Sequence, residues 1–133
     1  MHPVINTNTA QVLLRLTFGV ILLAHGLLKA LVFGHAGTVG FFASLGLPAI
    51  VAYIVMYAEI LAGIAIIVGF RVRAIAILTL PILLGAVWVH AGNGWLFSAK
   101  GGGWEFPVVL VVMAVIVAIQ GGGRCPISKH FNN

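Results

Sequence analysis

Aspartate is absent from the 133-residue chain, and Glu59 and Glu105 are its two acidic residues. A Ser-His-Asp triad is therefore excluded. Cys125 is the single cysteine, so neither an intramolecular disulfide nor a CxxC couple can form, and we interpret it as a bystander thiol. HExxH and Walker patterns are also missing. Any redox chemistry would need a bound cofactor or a diffusible quinone to carry the electrons.

Charged residues are scarce as well. They make up 7% of the chain, whereas hydrophobic residues make up 62%; soluble domains carry roughly 25% charged residues. One small core cannot bury this much apolar surface, so the composition predicts an integral membrane protein in contact with lipid. The net charge of +5 reflects the missing acids. Because lysine and arginine do not cluster, we expect no nucleic-acid binding.

Four apolar runs are long enough to cross a bilayer, which takes about 20 helical residues. They predict an all-α, integral membrane four-helix bundle that forms a single transmembrane domain over residues 1–133. We interpret the first run as a retained span, not a cleaved signal. The Gly-rich segments 34–48 and 93–104 are predicted to be turns at the membrane interface. The predicted helices cover about 10–33, 49–69, 72–92 and 104–121.

The basic residues near the span ends indicate the orientation. Arg71, Arg73, Arg124 and Lys129 fall on one side, and Lys29 and Lys100 on the other. The positive-inside rule then places both termini in the cytoplasm.

A short internal echo links the two halves of the chain. "HAGTVGFF" at 35–42 follows the first span, and "HAGNGWLF" at 90–97 follows the third. Each is followed by a proline and then by another span. The echo suggests two helical hairpins.

Three basic side chains, Arg15, His25 and Lys29, lie inside the first span. At about 100° per residue they fall within one stripe about 80° wide, which Gly19 and Gly26 share or border. A polar stripe edged by glycine is typical of a helix-packing face, since small residues let helices approach closely.

Depth in the membrane divides the ionisable residues into two groups. Arg15 is expected to reach toward Glu59, the midpoint of the second span, in the inner half. The outer mouth is predicted to bring together His25, Lys29, His90 and Glu105. Ionisable residues at membrane depth usually face a bundle interior or an aqueous cavity. These six residues form the candidate ligand-binding or buried polar site, and no metal site is predicted.

Simpler explanations exist for most of these residues. Arg15 and Lys29 lie near span ends, where snorkelling to the interface accounts for them. His90 fits an ordinary interface residue. Glu105 begins a helix, where a carboxylate meets the positive end of the dipole. Glu59 has no such explanation, because a carboxylate in mid-span must be paired, protonated or hydrated.

Several motifs together resemble the DoxX family. They are "LLRLTFGVILLAHGLLKA", "SLGLP", "AEILAGIAIIVGFRVRAIA" and "KGGGWEFPVVLV", in this order between about 10 and 120. The resemblance implies a four-helix protein of the bacterial or archaeal inner membrane. It also implies a link to quinone-coupled oxidoreductases, such as the thiosulfate:quinone system, or to quinone stress. The family's polar positions would map onto Arg15, His25, Lys29, Glu59 and Glu105.

Three functions stay open. The first is a redox-linked membrane subunit that binds quinone or another small molecule and has oxidoreductase partners. The second is a helper in small-solute transport or export, for which four spans would require a dimer. The third is a structural scaffold in which Arg15 and Glu59 lock the bundle. Small residues four apart also favour helix contacts or a homodimer; these are Ala58/Ala62 and Ala114/Ala118.

Overall fold

The apolar runs of the chain form helices, as a computed structural model that describes residues 7–124 shows. These residues contain no strand, which confirms the all-α prediction. Cys125 and Lys129 lie outside the described part. The elements in chain order are α1 (Thr7–Leu27), a π-helical segment (Leu28–Val32), α2 (Gly34–Ser44), α3 (Ala49–Val68), α4 (Val72–His90), a 3-10 turn (Ala91–Asn93) and α5 (Glu105–Gln120).

Three of the helical stretches are long and apolar enough to span a membrane: Thr7–Val32, Ala49–Val68 and Val72–Asn93. The fourth helix, α5, has 16 residues and reaches about 24 Å at 1.5 Å per residue. Large apolar side chains cover the outside of all four. The prediction of a membrane four-helix bundle is confirmed, with the short α2 as an addition.

The helices pair as two antiparallel hairpins, α1 with α3 and α4 with α5. Glycines let α1 and α3 approach closely: a Cβ placed on Gly63 would lie 2.6 Å from the backbone nitrogen of Leu23. The expected hairpins are present. The two echoed sequences nevertheless fold differently, since the first lies in α2 and the second in a turn and loop.

The prediction that 34–48 is a turn is wrong for its first part, which forms α2. Its glycines suggested a loop, but Thr38 and Phe42, one helical turn apart, give it a face that is buried against the bundle. A hydrogen bond of 2.7 Å between His35 Nε2 and the Tyr57 hydroxyl adds a second contact to α3. Tertiary packing therefore outweighs the high glycine content.

Residues 69–71 make a tight link between α3 and α4. Gly69 ends α3 with φ at 86°, a left-handed conformation that glycine adopts without strain. Arg71 follows with φ at 42°, the only non-glycine residue of the described chain with a positive φ. Pro81 lies within α4, and the helix continues through it from Val72 to His90. A proline in the middle of a span suggests a broken helix, and this expectation is wrong for Pro81.

The two ends of the bundle differ. The arginine end is defined by Arg15, Arg71, Arg73 and Arg124, and the hydrophobic core that includes Phe18, Ile66, Ala76 and Val117 packs next to it. The opposite end, called the cavity end here, contains Lys29, His90 and the loop 94–104. Ala62, Ala114 and Ala118 pack within the bundle. These alanines therefore already have partners inside the chain, and a homodimer stays a prediction.

Candidate functional site

A cavity of about 510 Å³ lies between the helices at the cavity end. All five α-helices and the loop before α5 contribute to its wall. One face of α3 contributes Val51, Val55 and Glu59, which are spaced by one helical turn. Most of the lining is apolar. Its four ionisable side chains are His25, Lys29, Glu59 and His90.

An ion pair joins two of these side chains across the α1–α3 interface. Lys29 Nζ donates a hydrogen bond of 2.8 Å to Glu59 Oε2. The Glu59 side chain is 9% exposed and the Lys29 side chain is 21% exposed. The pair cancels its own charge, so the cavity gains two polar groups without a net charge.

The π-helical segment holds Lys29 in place. Its wider turn is closed by a hydrogen bond of 3.0 Å from the Phe33 amide to the Leu28 carbonyl, and such segments are frequent at functional sites. The hydroxyl of Thr38 donates a bond of 2.9 Å to the carbonyl of Lys29. Thr38 is buried at 3% exposure. Helix α2 therefore supports the backbone of the residue that pairs with Glu59.

The two histidines of the cavity adopt the same arrangement. His25 Nδ1 lies 2.8 Å from the Ile21 carbonyl, and His90 Nδ1 lies 2.7 Å from the Ala86 carbonyl. A carbonyl oxygen can only accept, so Nδ1 carries the proton in both rings. In the neutral ring Nε2 is then a hydrogen-bond acceptor. Neither Nε2 has a hydrogen-bond partner among residues 7–124.

Aromatic side chains form much of the remaining wall. Phe106 stacks on the ring of His25, with centroids 5.8 Å apart and planes 26° apart. Phe97 meets Phe106 edge to face at 6.2 Å. Phe41, Trp88 and Phe97 both line the cavity and are more than half exposed at the surface. These three mark its mouth.

The loop 94–104 closes one side of the cavity. The amide of Trp104 bonds the Gly94 carbonyl, and the amide of Glu105 bonds the Trp95 carbonyl, both at 3.0 Å. Asn93 Nδ2 donates a bond of 2.8 Å to the Gly102 carbonyl. The loop is thereby tied to both of its flanking elements, and Gly102 and Gly103 lie against the cavity.

Glu59 pairs with Lys29, and the predicted partner Arg15 lies elsewhere. Nη1 of Arg15 bonds the Gly122 carbonyl at 3.1 Å, and Nη2 bonds the Ile67 carbonyl at 3.4 Å. The helix register explains the difference. Arg15 sits level with Ile67, eight residues from Glu59 along α3, which corresponds to about 12 Å. Its side chain is 1% exposed, so snorkelling does not account for it either.

Glu105 is at the cavity end but does not line the cavity. It lies in the first turn of α5, and its Oε2 accepts a bond of 3.3 Å from the Phe97 amide. This placement matches the helix-start alternative and adds support for the loop. Of the six predicted site residues, the cavity therefore unites His25, Lys29, Glu59 and His90, whereas Arg15 and Glu105 lie outside it.

Sequence reasoning missed Thr38 and Phe106. Thr38 was assigned to a loop, so nothing indicated its contact with Lys29. Phe106 follows Glu105 in the motif "WEFP", and its aromatic ring at a span end was the one available signal. Among the described residues no three His, Cys, Asp or Glu side chains converge on a point where they would hold a metal ion.

Fold and cavity together define the class of this protein, an integral membrane helical bundle with ionisable side chains in an otherwise apolar interior. Within that class, the DoxX family model matches residues 10–92, and the chain belongs to the DoxX family. It is 32% identical over 109 residues to a Bacillus subtilis protein named "Putative oxidoreductase CatD", an alignment that covers 82% of this chain and 77% of that relative. No solved structure matches the chain significantly.

Proposed function

We propose that the protein binds a quinone-type ring compound in this cavity and serves as a membrane subunit of an oxidoreductase. The observation that carries the proposal is the convergence of His25, Lys29, Glu59 and His90 in an aromatic-lined cavity. Small-molecule sites are mostly apolar, hold a few polar groups and measure about 300–1,000 Å³. The volume of about 510 Å³ falls within that range.

The lining suits a ring with polar atoms at its edge. The rings of Phe106 and His25, stacked on each other, form part of the cavity wall against which a planar ligand would pack. The ammonium of Lys29 donates hydrogen bonds, and the imidazoles accept them. The exposed aromatic residues at the mouth would let an apolar tail leave toward the lipid. A bound quinone would supply two-electron, two-proton chemistry, and the printed name of the B. subtilis relative supports a redox context.

We assign the electron donor or acceptor to a partner protein. The residues of this chain then bind the ring, shield it from water and orient its oxygen atoms. His25 and His90 are the side chains that would exchange protons with those oxygens, since imidazole both accepts and releases protons. In this proposal the protein lies in the cell inner membrane with both termini in the cytoplasm. The arginine end supports that orientation, because Arg71, Arg73 and Arg124, which flank its spans, outnumber Lys100 at the cavity end.

A cavity-filling variant tests the proposal. A Cβ on Gly85 would meet no atom within 4 Å, and Gly85 lines the cavity. The Cβ of Gly85→Leu would therefore meet no neighbour, and the rest of the new side chain would extend into ligand space. Gly40→Leu is the matched control, because its Cβ is equally unhindered and Gly40 does not line the cavity.

The measurement is thermal unfolding of quinone-free protein in lipid nanodiscs, titrated with a short-chain ubiquinone and a short-chain menaquinone in both redox forms. We expect a saturable rise in Tm for the wild type and for Gly40→Leu, since a ligand that binds the folded state stabilises it. Gly85→Leu should lose that rise. A wild type that responds to neither compound in either form would sink the proposal, and so would an unchanged response in Gly85→Leu.

A second candidate, the scaffold, is favoured by one observation. The Lys29–Glu59 pair and the glycine contact at Gly63 both join α1 to α3, so the polar side chains also hold the bundle together. A purely structural role does not account for the cavity beside Lys29 and Glu59. A lock alone would be expected to fill its interior with side chains, as the hydrophobic core around Phe18 and Ile66 does.

A further inference from the structure

The hydrogen-bonding character of the cavity differs for the two redox forms of a ring. An oxidised ring carries carbonyl oxygens, which only accept hydrogen bonds. A reduced, dihydroxy ring carries hydroxyls, which donate as well as accept. The polar atoms of the cavity therefore decide which form is bound more tightly. This reasoning rests on the proposed function.

The histidines offer acceptors. Each Nδ1–H is already used by a carbonyl of its own helix, at Ile21 for His25 and at Ala86 for His90. In the neutral rings the remaining polar atom is Nε2 with its lone pair. Both imidazoles line the cavity, and neither Nε2 is hydrogen-bonded within the described residues.

The ion pair adds one donor and one acceptor. The Lys29 ammonium has three N–H groups, one of which goes to Glu59 Oε2. Glu59 contributes carboxylate oxygens. A ring hydroxyl can accept from Lys29 and donate to an imidazole, so it satisfies both. A ring carbonyl can accept a hydrogen bond from Lys29, but it has no proton to donate to an imidazole. Its oxygen lone pairs would then face the lone pair of Nε2.

We propose that the cavity selects the reduced, dihydroxy form of an aromatic ring over its oxidised, dicarbonyl form. The cause is the fixed tautomer of His25 and His90, which the backbone of α1 and α4 imposes. A buried acceptor left opposite another acceptor lowers affinity, because it has lost its water and gained no partner. The same arrangement rejects a ring whose hydroxyls are blocked.

The preference concerns ring chemistry and applies to two sources of ligand. One is a prenylated quinol that enters from the lipid. The other is a small free dihydroxybenzene that enters from water. The exposed aromatic mouth at Phe41 and Trp88 suits an apolar tail, and affinity measurements with both compounds will separate the sources.

The test measures binding to the wild-type protein in quinone-free nanodiscs under anaerobic conditions. The ligands are a short-chain ubiquinone, its hydroquinone, the dimethyl ether of that hydroquinone, and unprenylated hydroquinone with its benzoquinone. We expect the hydroquinone of the prenylated pair to bind at least tenfold more tightly than the quinone. The dimethyl ether should bind no better than the quinone. Tighter binding of the prenylated than of the free hydroquinone would assign the source to lipid, and the reverse order to water.

Variants assign the preference to the imidazoles. His25→Phe and His90→Phe keep a flat ring and remove the acceptor. Each should therefore lower hydroquinone affinity, raise quinone affinity, or both, and reduce the affinity ratio of hydroquinone to quinone about fivefold. The glutamine side chain in His90→Gln carries both a hydrogen-bond donor and an acceptor. This variant should therefore reduce the ratio of hydroquinone affinity to quinone affinity. His90→Gln replaces the phenylalanine variants in this test if one of them fails to fold. Nitrogen-15 NMR of the histidine rings should show the proton on Nδ1.

The outcomes separate the two proposals. Equal affinities, or tighter binding of the quinone, overturn the redox preference and leave quinone binding intact. Binding of neither form overturns both. A proton found on Nε2 of His25 and His90 also overturns the preference, because its physical cause would then be absent.

Discussion

At the residue scale, the position that a basic side chain can reach decides whether it pairs with Glu59. Arg15 and Lys29 lie on the same face of the first span, yet Lys29 alone meets Glu59. A lysine side chain near a helix end leans back toward the helix N-terminus. This carries the ammonium of Lys29 to the depth of Glu59, whereas Arg15 binds the carbonyls that end α3 and follow α5.

The Lys29–Glu59 pair leads to a prediction about stability. Lys29→Met and Glu59→Leu should each destabilise the bundle by about 3–5 kcal/mol, because each leaves one buried charge without its partner. The double variant should recover most of that loss, since no unpaired charge remains. Chemical unfolding in detergent micelles measures all three.

Lys100→Met is the control for these two single variants and their double variant, because Lys100 is an exposed loop residue. It should change the free energy of unfolding by less than about 0.5 kcal/mol. Strictly additive effects of Lys29→Met and Glu59→Leu would contradict the pairing.

At the scale of helices, glycine decides how closely α1 and α3 approach. A Cβ on Gly63 would lie 2.6 Å from the Leu23 nitrogen and 2.9 Å from the Gly19 carbonyl oxygen. These are backbone atoms, so they cannot move aside without separating the helices. The close approach also lets Lys29 and Glu59 reach each other.

Gly63→Ala should therefore destabilise the bundle by about 1–3 kcal/mol, the usual cost of overpacking, and should weaken ligand binding through the displaced ion pair. Thermal unfolding in nanodiscs, with and without a short-chain hydroquinone, measures both effects. Gly40→Ala is the matched control, because its Cβ meets nothing within 4 Å. Alanine favours a helix over glycine by about 1 kcal/mol, so the control should be neutral or stabilised. Equal behaviour of the two variants would rule out a tight α1–α3 contact.

At the scale of the whole molecule, the two ends of the bundle carry different residue types. The arginine end carries Arg15, Arg71, Arg73 and Arg124. The cavity end carries all three tryptophans, Trp88, Trp95 and Trp104, with exposed rings. Tryptophan is enriched at membrane–water interfaces. We therefore expect the cavity to lie just below one membrane surface, where lipid and the proposed partner would have access to it.

The single cysteine makes the proposed orientation directly testable. Cys125 should react with a membrane-impermeant maleimide in inverted membrane vesicles and stay unlabelled in intact spheroplasts. In a Cys125→Ser background, Ser98→Cys in the loop 94–104 should show the reverse pattern. Labelling of both positions from the same side would contradict the four-span topology, and exchanged patterns would invert the orientation.

Local pattern alone was sufficient for much of this structure. Long apolar runs predicted the ends of α1, α3, α4 and α5 within a few residues when the π-helical segment is counted with α1, and scarce charge indicated a membrane protein. Rotation around α1 predicted correctly that His25 and Lys29 share an inward face. These properties depend on neighbouring residues along one chain segment, because the α-helix repeat is the same wherever the segment lies.

Tertiary packing decided the rest. The register between α1 and α3, set by Gly19 and Gly63, made Lys29 the partner of Glu59 and kept Arg15 about 12 Å away along the bundle. Burial of Thr38 turned a glycine-rich stretch into α2 and connected it to the π-helical segment. The empty space between His25 and His90 arises from five helices together. Contacts of this kind join residues distant in the chain, and no repeat in the sequence encodes their relative depth.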